Sequence, residues 1–141
     1  MGNFNSSRTT ETMLDVFILI IRLFVGFSMI SHGYPKLMML IANDKIEFMN
    51  FLGLGSALTL VLVVFAEFVC SVFIILGFLT RLAAIPLMIT MLVAFFVVHG
   101  ADAYSDKELS LLYFFFYFSI LVLGSGKYAL DALFAKKEPV Y

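Results

Sequence analysis

The sequence predicts an all-α membrane protein built as an antiparallel bundle of four transmembrane helices. Composition is the first reason. Of 141 residues, 62% are hydrophobic and 13% charged, whereas soluble domains run at about 45–50% apolar and about 25% charged. A mean hydropathy of +1.05 agrees. The second reason is that the apolar residues gather into four runs. The third is that these runs lack the period-two alternation of a β-barrel strand. Nine Lys+Arg against ten Asp+Glu give a net charge of -1, so nothing suggests a nucleic-acid partner. One cysteine excludes an internal disulfide, a CxxC redox pair and a cysteine-rich metal centre.

Residues 1–12 form a polar tail without the layout of a signal peptide. Met1-Gly2-Asn3-Phe4-Asn5-Ser6 matches a myristoylation pattern and Asn5-Ser6-Ser7 a glycosylation sequon. Both are short patterns that recur by chance. Residues 13–134 form the transmembrane domain and 135–141 a second tail. Span one runs from Met13 to Ser31 and carries Arg22; Pro35 is expected to kink or end its helix. Span two, Ala57–Phe78, carries Glu67, and span three, Leu82–Val98, has Pro86 near its start. Span four, Leu109–Leu123, is shorter than the roughly 20 residues a crossing needs. Tyr128, Leu130, Leu133 and Phe134 are expected to prolong it along the interface. The short connection Gly77–Arg81 forces spans two and three into a helical hairpin.

Four spans place both termini and the Gly77–Arg81 turn on one side. That side holds Arg8, Arg81, Lys127, Lys136 and Lys137, against Lys36, Lys45 and Lys107 opposite. The bias puts both termini in the cytoplasm.

Arg22 and Glu67 lie inside spans, where an ionisable group costs about 2.5 kcal/mol or more. Counted from the cytoplasmic ends, Arg22 sits roughly 12 Å deep and Glu67 roughly 18 Å at the helical rise. The sequence therefore predicts a direct Arg22–Glu67 ion pair. Such a pair is either a structural lock between neighbouring helices or a proton-linked or substrate-binding charge. Arg22, Gly26, Met29, Gly33 and Lys36 share one helical stripe, whose glycines admit a close neighbour.

Four polar residues fall at the outer level of the spans: His32, Lys36, His99 and Glu108. They form the candidate pocket. Its imidazoles suit a quinone carbonyl, taking or giving a proton, with Glu108 fixing a tautomer. The alternative is a polar rim that meets only headgroups and water. No two metal-ligand residues share an i, i+4 spacing on one helix, so no metal is expected. Cys70 reads as a small buried hydrophobe.

These features, in order, resemble the DoxX family of small four-helix bacterial membrane proteins. The matching stretches are Ile21-Arg22-Leu23-Phe24-Val25-Gly26, Ser31-His32-Gly33-Tyr34-Pro35-Lys36-Leu37, Glu67, the turn from Leu76 to Ala84, Met91, His99, Glu108 with Tyr113, and Gly124-Ser125-Gly126 leading to Leu130-Asp131. Ala129 stands where the family often has Ser. The resemblance implies a location in the bacterial inner membrane. It also implies a role as a subunit of, or accessory to, quinone-linked membrane oxidoreductases, with quinone as the suspected cofactor. No flavin, haem or nucleotide motif is present, so redox partner subunits would supply electrons. The expected partners are the bilayer and other membrane subunits, and a homo-oligomer is left open. A small proton-coupled transporter and a site-less membrane scaffold are the competing readings.

Overall fold

The computed structural model describes residues 10–42 and 45–135. The N-terminal patterns, Arg8, Lys136 and Lys137 lie outside the described residues. Helix α1 spans Glu11–Ala42. Its start is set by Thr10, whose Oγ1 accepts the Met13 N–H at 3.3 Å as an N-cap. Helix α2 spans Ser56–Leu76 and α3 spans Thr80–Val98. Each contains a π-helical stretch, Phe65–Cys70 in α2 and Ala94–Val98 in α3. Helix α4 spans Tyr104–Leu123 and the short α5 spans Leu130–Ala135. Among the described residues there is no strand.

Helices α1, α2 and α3 are each long and apolar enough to cross a membrane. Helix α4 has 20 residues, but Asp106, Lys107 and Glu108 charge its first turns. Helix α1 packs on α2, α2 on α3, α3 on α4, and α4 returns to α1. The core between them includes Val25, Met29, Ile74, Leu87 and Tyr117. The exterior is more apolar than parts of this core. Phe24 and Phe27 are each 60% exposed, while Arg22 is 1% exposed. Water would penalise that inversion, whereas lipid favours it. The chain is a multi-pass membrane protein.

One boundary differs from the sequence reading. Helix α1 does not stop near Ser31 but continues through Pro35 to Ala42. A proline removes one backbone donor and so one helical bond; here the flanking turns persist. Lys36 is therefore part of a helix rather than of a loop. The interfacial segment beyond α4 is likewise a separate helix, α5, reached through Gly124 and Gly126 at φ 86° and 70°.

The α2–α3 turn explains several motif residues. Gly77, at φ 68°, closes α2: its N–H bonds to Ile74 O, and the Phe78 N–H to Phe73 O. That is a Schellman cap, which glycine adopts without steric cost. Leu79 follows at φ 46°. Asp131 holds the turn from 52 residues away, accepting Leu79 N–H at 2.8 Å, Thr80 N–H at 3.0 Å and the Thr80 hydroxyl at 2.7 Å. It thus caps the start of α3 from α5.

Candidate functional site

Arg22 and Glu67 do not pair. The Arg22 guanidinium turns toward the α2–α3 turn and donates to four backbone carbonyls. Nε reaches Ile74 O and Nη2 reaches Ile75 O, both at 2.9 Å. Nη1 reaches Ser125 O at 2.7 Å and Tyr128 O at 2.9 Å. Ile74 and Ile75 belong to the last turn of α2, and Ser125 and Tyr128 follow the end of α4. The last carbonyls of a helix lack intrahelical partners and carry partial negative charge. They offer a cation what the expected carboxylate would have supplied. This centre is structural, and it joins residues 22, 74, 75, 125 and 128 into one knot.

Glu67 instead receives Lys36. The ammonium donates to both carboxylate oxygens, at 2.7 and 2.5 Å. The Glu67 side chain is 5% exposed and that of Lys36 29%. Two backbone features make the meeting possible. Glu67 lies in the π-helical stretch of α2, a local widening often found at functional sites. Gly33 packs on the same stretch: a Cβ there would stand 2.9 Å from Glu67 C and 3.0 Å from Glu67 O and Phe68 N. Without a side chain at 33, α1 approaches closely enough for Lys36, one turn on, to span the gap.

The pair forms part of the wall of a half-open cavity of about 200 Å³. Helix α1 contributes Met29, His32 and Lys36, α2 contributes Glu67, α3 contributes Met91 and Ala94, and His99 lies just beyond its end. Helix α4 contributes Asp106, Leu109, Ser110 and Tyr113. Of the four residues expected at this level, His32, Lys36 and His99 line one cavity. Glu108 does not, and it is exposed. Helix α4 begins at Tyr104, and two residues turn a helix by about 200°. With Asp106 facing the cavity, Glu108 must face away from it. Asp106, Ser110, Tyr113 and Tyr117 follow the helical i, i+4, i+7 spacing, which is the signal by which Asp106 could have been found.

Nor does Glu108 hold an imidazole. The partner of His99 is Asp102, at 2.8 Å from Nδ1. A carboxylate accepts, so Nδ1 is the donor and Nε2 is left over. The His32 and Tyr113 rings form a T-shaped pair with centroids 6.3 Å apart, and Tyr113 stacks on Tyr117 at 6.2 Å. The buried Ser71 hydroxyl has no hydrogen-bond partner among the described residues. Cys70 is buried and free, and it does not line this cavity. Among the described residues no cluster of three or more His, Cys, Asp or Glu is placed to hold a metal ion.

The wall is rich in donors: the Lys36 ammonium, the His32 imidazole, the Ser110 hydroxyl and the Tyr113 phenol. Of its two carboxylates, Glu67 is already bonded to Lys36 and Asp106 is solvent-exposed. Met29 and Met91 are buried and apolar, a surface that suits a flat ring. A small ligand that accepts hydrogen bonds around an apolar body would match this lining chemically.

A family model described as DoxX matches residues 17–100, which takes in most of α1 and all of α2 and α3. A protein of Haemophilus influenzae, described as an uncharacterized protein, is 33% identical over 135 residues, covering 90% of this chain and 97% of that relative. No solved structure matches the chain.

Proposed function

Because the chain belongs to the DoxX family, we propose that it is a small four-span subunit accessory to a quinone-linked membrane oxidoreductase, holding a quinone headgroup in the His32–Lys36–His99 cavity. The observation that carries this reading is the donor-rich wall around a methionine floor. A quinone ring is apolar and flat, and its two carbonyls accept hydrogen bonds. Lys36 and His32 are the donors to the carbonyls; His99, whose Nδ1–H is held by Asp102, presents Nε2 as an acceptor, which suits it to take a proton from a reduced ring. The protein binds and orients the ring; the electrons come from a redox partner subunit.

The same reading makes α4 the fourth crossing of an antiparallel bundle in the bacterial inner membrane, with both termini cytoplasmic. Lys36 now leaves the loop tally because it is bonded inside α1 to Glu67. Arg81 and Lys127, with Arg8, Lys136 and Lys137 of the tails, then face only Lys45 and Lys107. The wider margin supports this orientation.

The test is the quinone content of the full-length protein after purification in mild detergent. The wild type should retain quinone in near-stoichiometric amount, and His32→Ala should retain several-fold less. Equal, near-zero content in both overturns the quinone reading.

A further inference from the structure

Lys36 is the only lysine or arginine on the cavity wall among the described residues. Two of its three N–H donors are spent on Glu67. The third remains for a ligand. Glu67 is nearly out of reach of water, at 5% side-chain exposure. It depends on Lys36 for compensation, since a buried charge left without its partner is strongly unfavourable. Asp106, from α4, adds a second carboxylate to the wall. The other polar groups facing the site are His32 from α1, His99 beyond α3, and Ser110 and Tyr113 from α4.

We propose that the Glu67–Lys36 pair makes this cavity a charge filter that admits neutral hydrogen-bond acceptors and excludes anions. The inference rests on the quinone reading and specifies the form of quinone taken: the uncharged ring. A neutral carbonyl accepts the spare Lys36 N–H and leaves the pair intact. An anion draws the ammonium away, strips Glu67 of its counter-charge and brings its own charge against Glu67 and Asp106. Gly33 is what allows the filter to exist, since a side chain there would hold α1 off the Glu67 backbone. Glu67 thus acts as a specificity-determining residue without itself bonding the ligand, and Lys36 is the contact.

The experiment uses the full-length protein in detergent micelles and two probes of one ring system. One is hydroxynaphthoquinone, an anion at about pH 8, and the other is its neutral methyl ether. Working at about pH 8 keeps clear of the ordinary histidine range. Equilibrium dialysis measures both affinities, which suits a chain without tryptophan. The wild type should bind the ether at least about tenfold more tightly than the anion, the scale of one charge-assisted hydrogen bond. Glu67→Gln frees the ammonium and should raise the affinity for the anion by about tenfold or more, closing or reversing the gap. Lys36→Gln should weaken the ether by roughly 10- to 100-fold without a gain for the anion.

Equal wild-type affinities for the two probes would overturn the filter while leaving quinone binding in place. An unchanged preference in folded Glu67→Gln would overturn the role of Glu67. Failure of the wild type to bind either probe would overturn both this inference and the quinone reading. The wild-type comparison alone decides the filter if the Glu67 variant does not fold.

Discussion

Replacing Arg22 by Leu removes four bonds at once, to Ile74, Ile75, Ser125 and Tyr128. Hydrogen bonds from a charged donor contribute about 1.5–3 kcal/mol each in water-based proteins. Inside membranes the average measured bond is nearer 0.6 kcal/mol, because the unfolded chain also finds partners. Four weak bonds set a floor of about 2 kcal/mol on that scale. Strong ones would raise it to about 6–12 kcal/mol, offset by several kcal/mol regained when a guanidinium no longer needs burial. The expected loss is about 3–6 kcal/mol. Arg22→Lys keeps the charge, but a single ammonium cannot reach carbonyls arrayed around a planar fork. It should recover about half the loss. The assay is reversible unfolding in mixed micelles of mild and denaturing detergent, followed by helicity. A loss below about 1 kcal/mol for Arg22→Leu would refute the knot as a stabilising element. A second refutation is available from Glu67. Arg22 and Glu67 share no hydrogen-bond partner, so their effects should add within about 0.5 kcal/mol in a double-mutant cycle. Strong coupling would restore the direct pair that the sequence suggested.

Gly33→Ala should destabilise the protein by about 1–3 kcal/mol and weaken the Lys36–Glu67 bond, because the new Cβ meets Glu67 backbone, which cannot yield. Gly26→Ala should cost less, since its nearest neighbour is the Ile75 side chain; thermal unfolding of the two variants side by side checks the order. Asp131→Ala removes three bonds at the start of α3 and should lower stability by about 1–2 kcal/mol, with Asp131→Asn intermediate in the same melts. Cysteines placed at Lys45 and Lys127 should react with an impermeant reagent from opposite sides, Lys45 from outside. Labelling of position 127 from outside in intact cells would overturn the orientation.

Much of the fold was legible because lipid imposes a simple code. Long apolar runs had to be helices, and the run boundaries placed the α2–α3 hairpin within a few residues. The stripe Arg22, Gly26, Met29, Gly33 reads directly from helical spacing, and all four residues are buried. The Arg22 partners could not be read in the same way. Carbonyl oxygens belong to every residue type, so Ser125 and Tyr128 carry no chemical flag. Depth counting also assumed that a charge seeks the nearest opposite charge, whereas the end of α2 and the segment after α4 each offered Arg22 two carbonyl acceptors. Three of the four residues expected at the rim, His32, Lys36 and His99, line one cavity because span ends fix a level. Glu108 was misplaced because level was known and angle was not. The true start of α4, five residues earlier than the apolar run, sets which face looks inward. Pro35 misled in the same direction: composition marks it as a breaker, but α1 runs through it and carries Lys36 to Glu67.

The Arg22 knot also imposes an order on biogenesis. Arg22 enters the bilayer with the first helix, yet two of its acceptors lie 103 and 106 residues further along the chain. Ribosomes extend a chain at about 5–20 residues per second, so the guanidinium waits several seconds or more in a half-built site. The knot can therefore close only when the segment after α4 arrives, which makes its completion a late event. A chain cut short before Ser125 would keep its apolar helices but hold an arginine with only two of its four acceptors, Ile74 and Ile75. That is a defect membrane proteases can sense, and comparing the lifetimes of chains ending just before and just after Tyr128 would show whether the knot serves as the molecule's own certificate of completion.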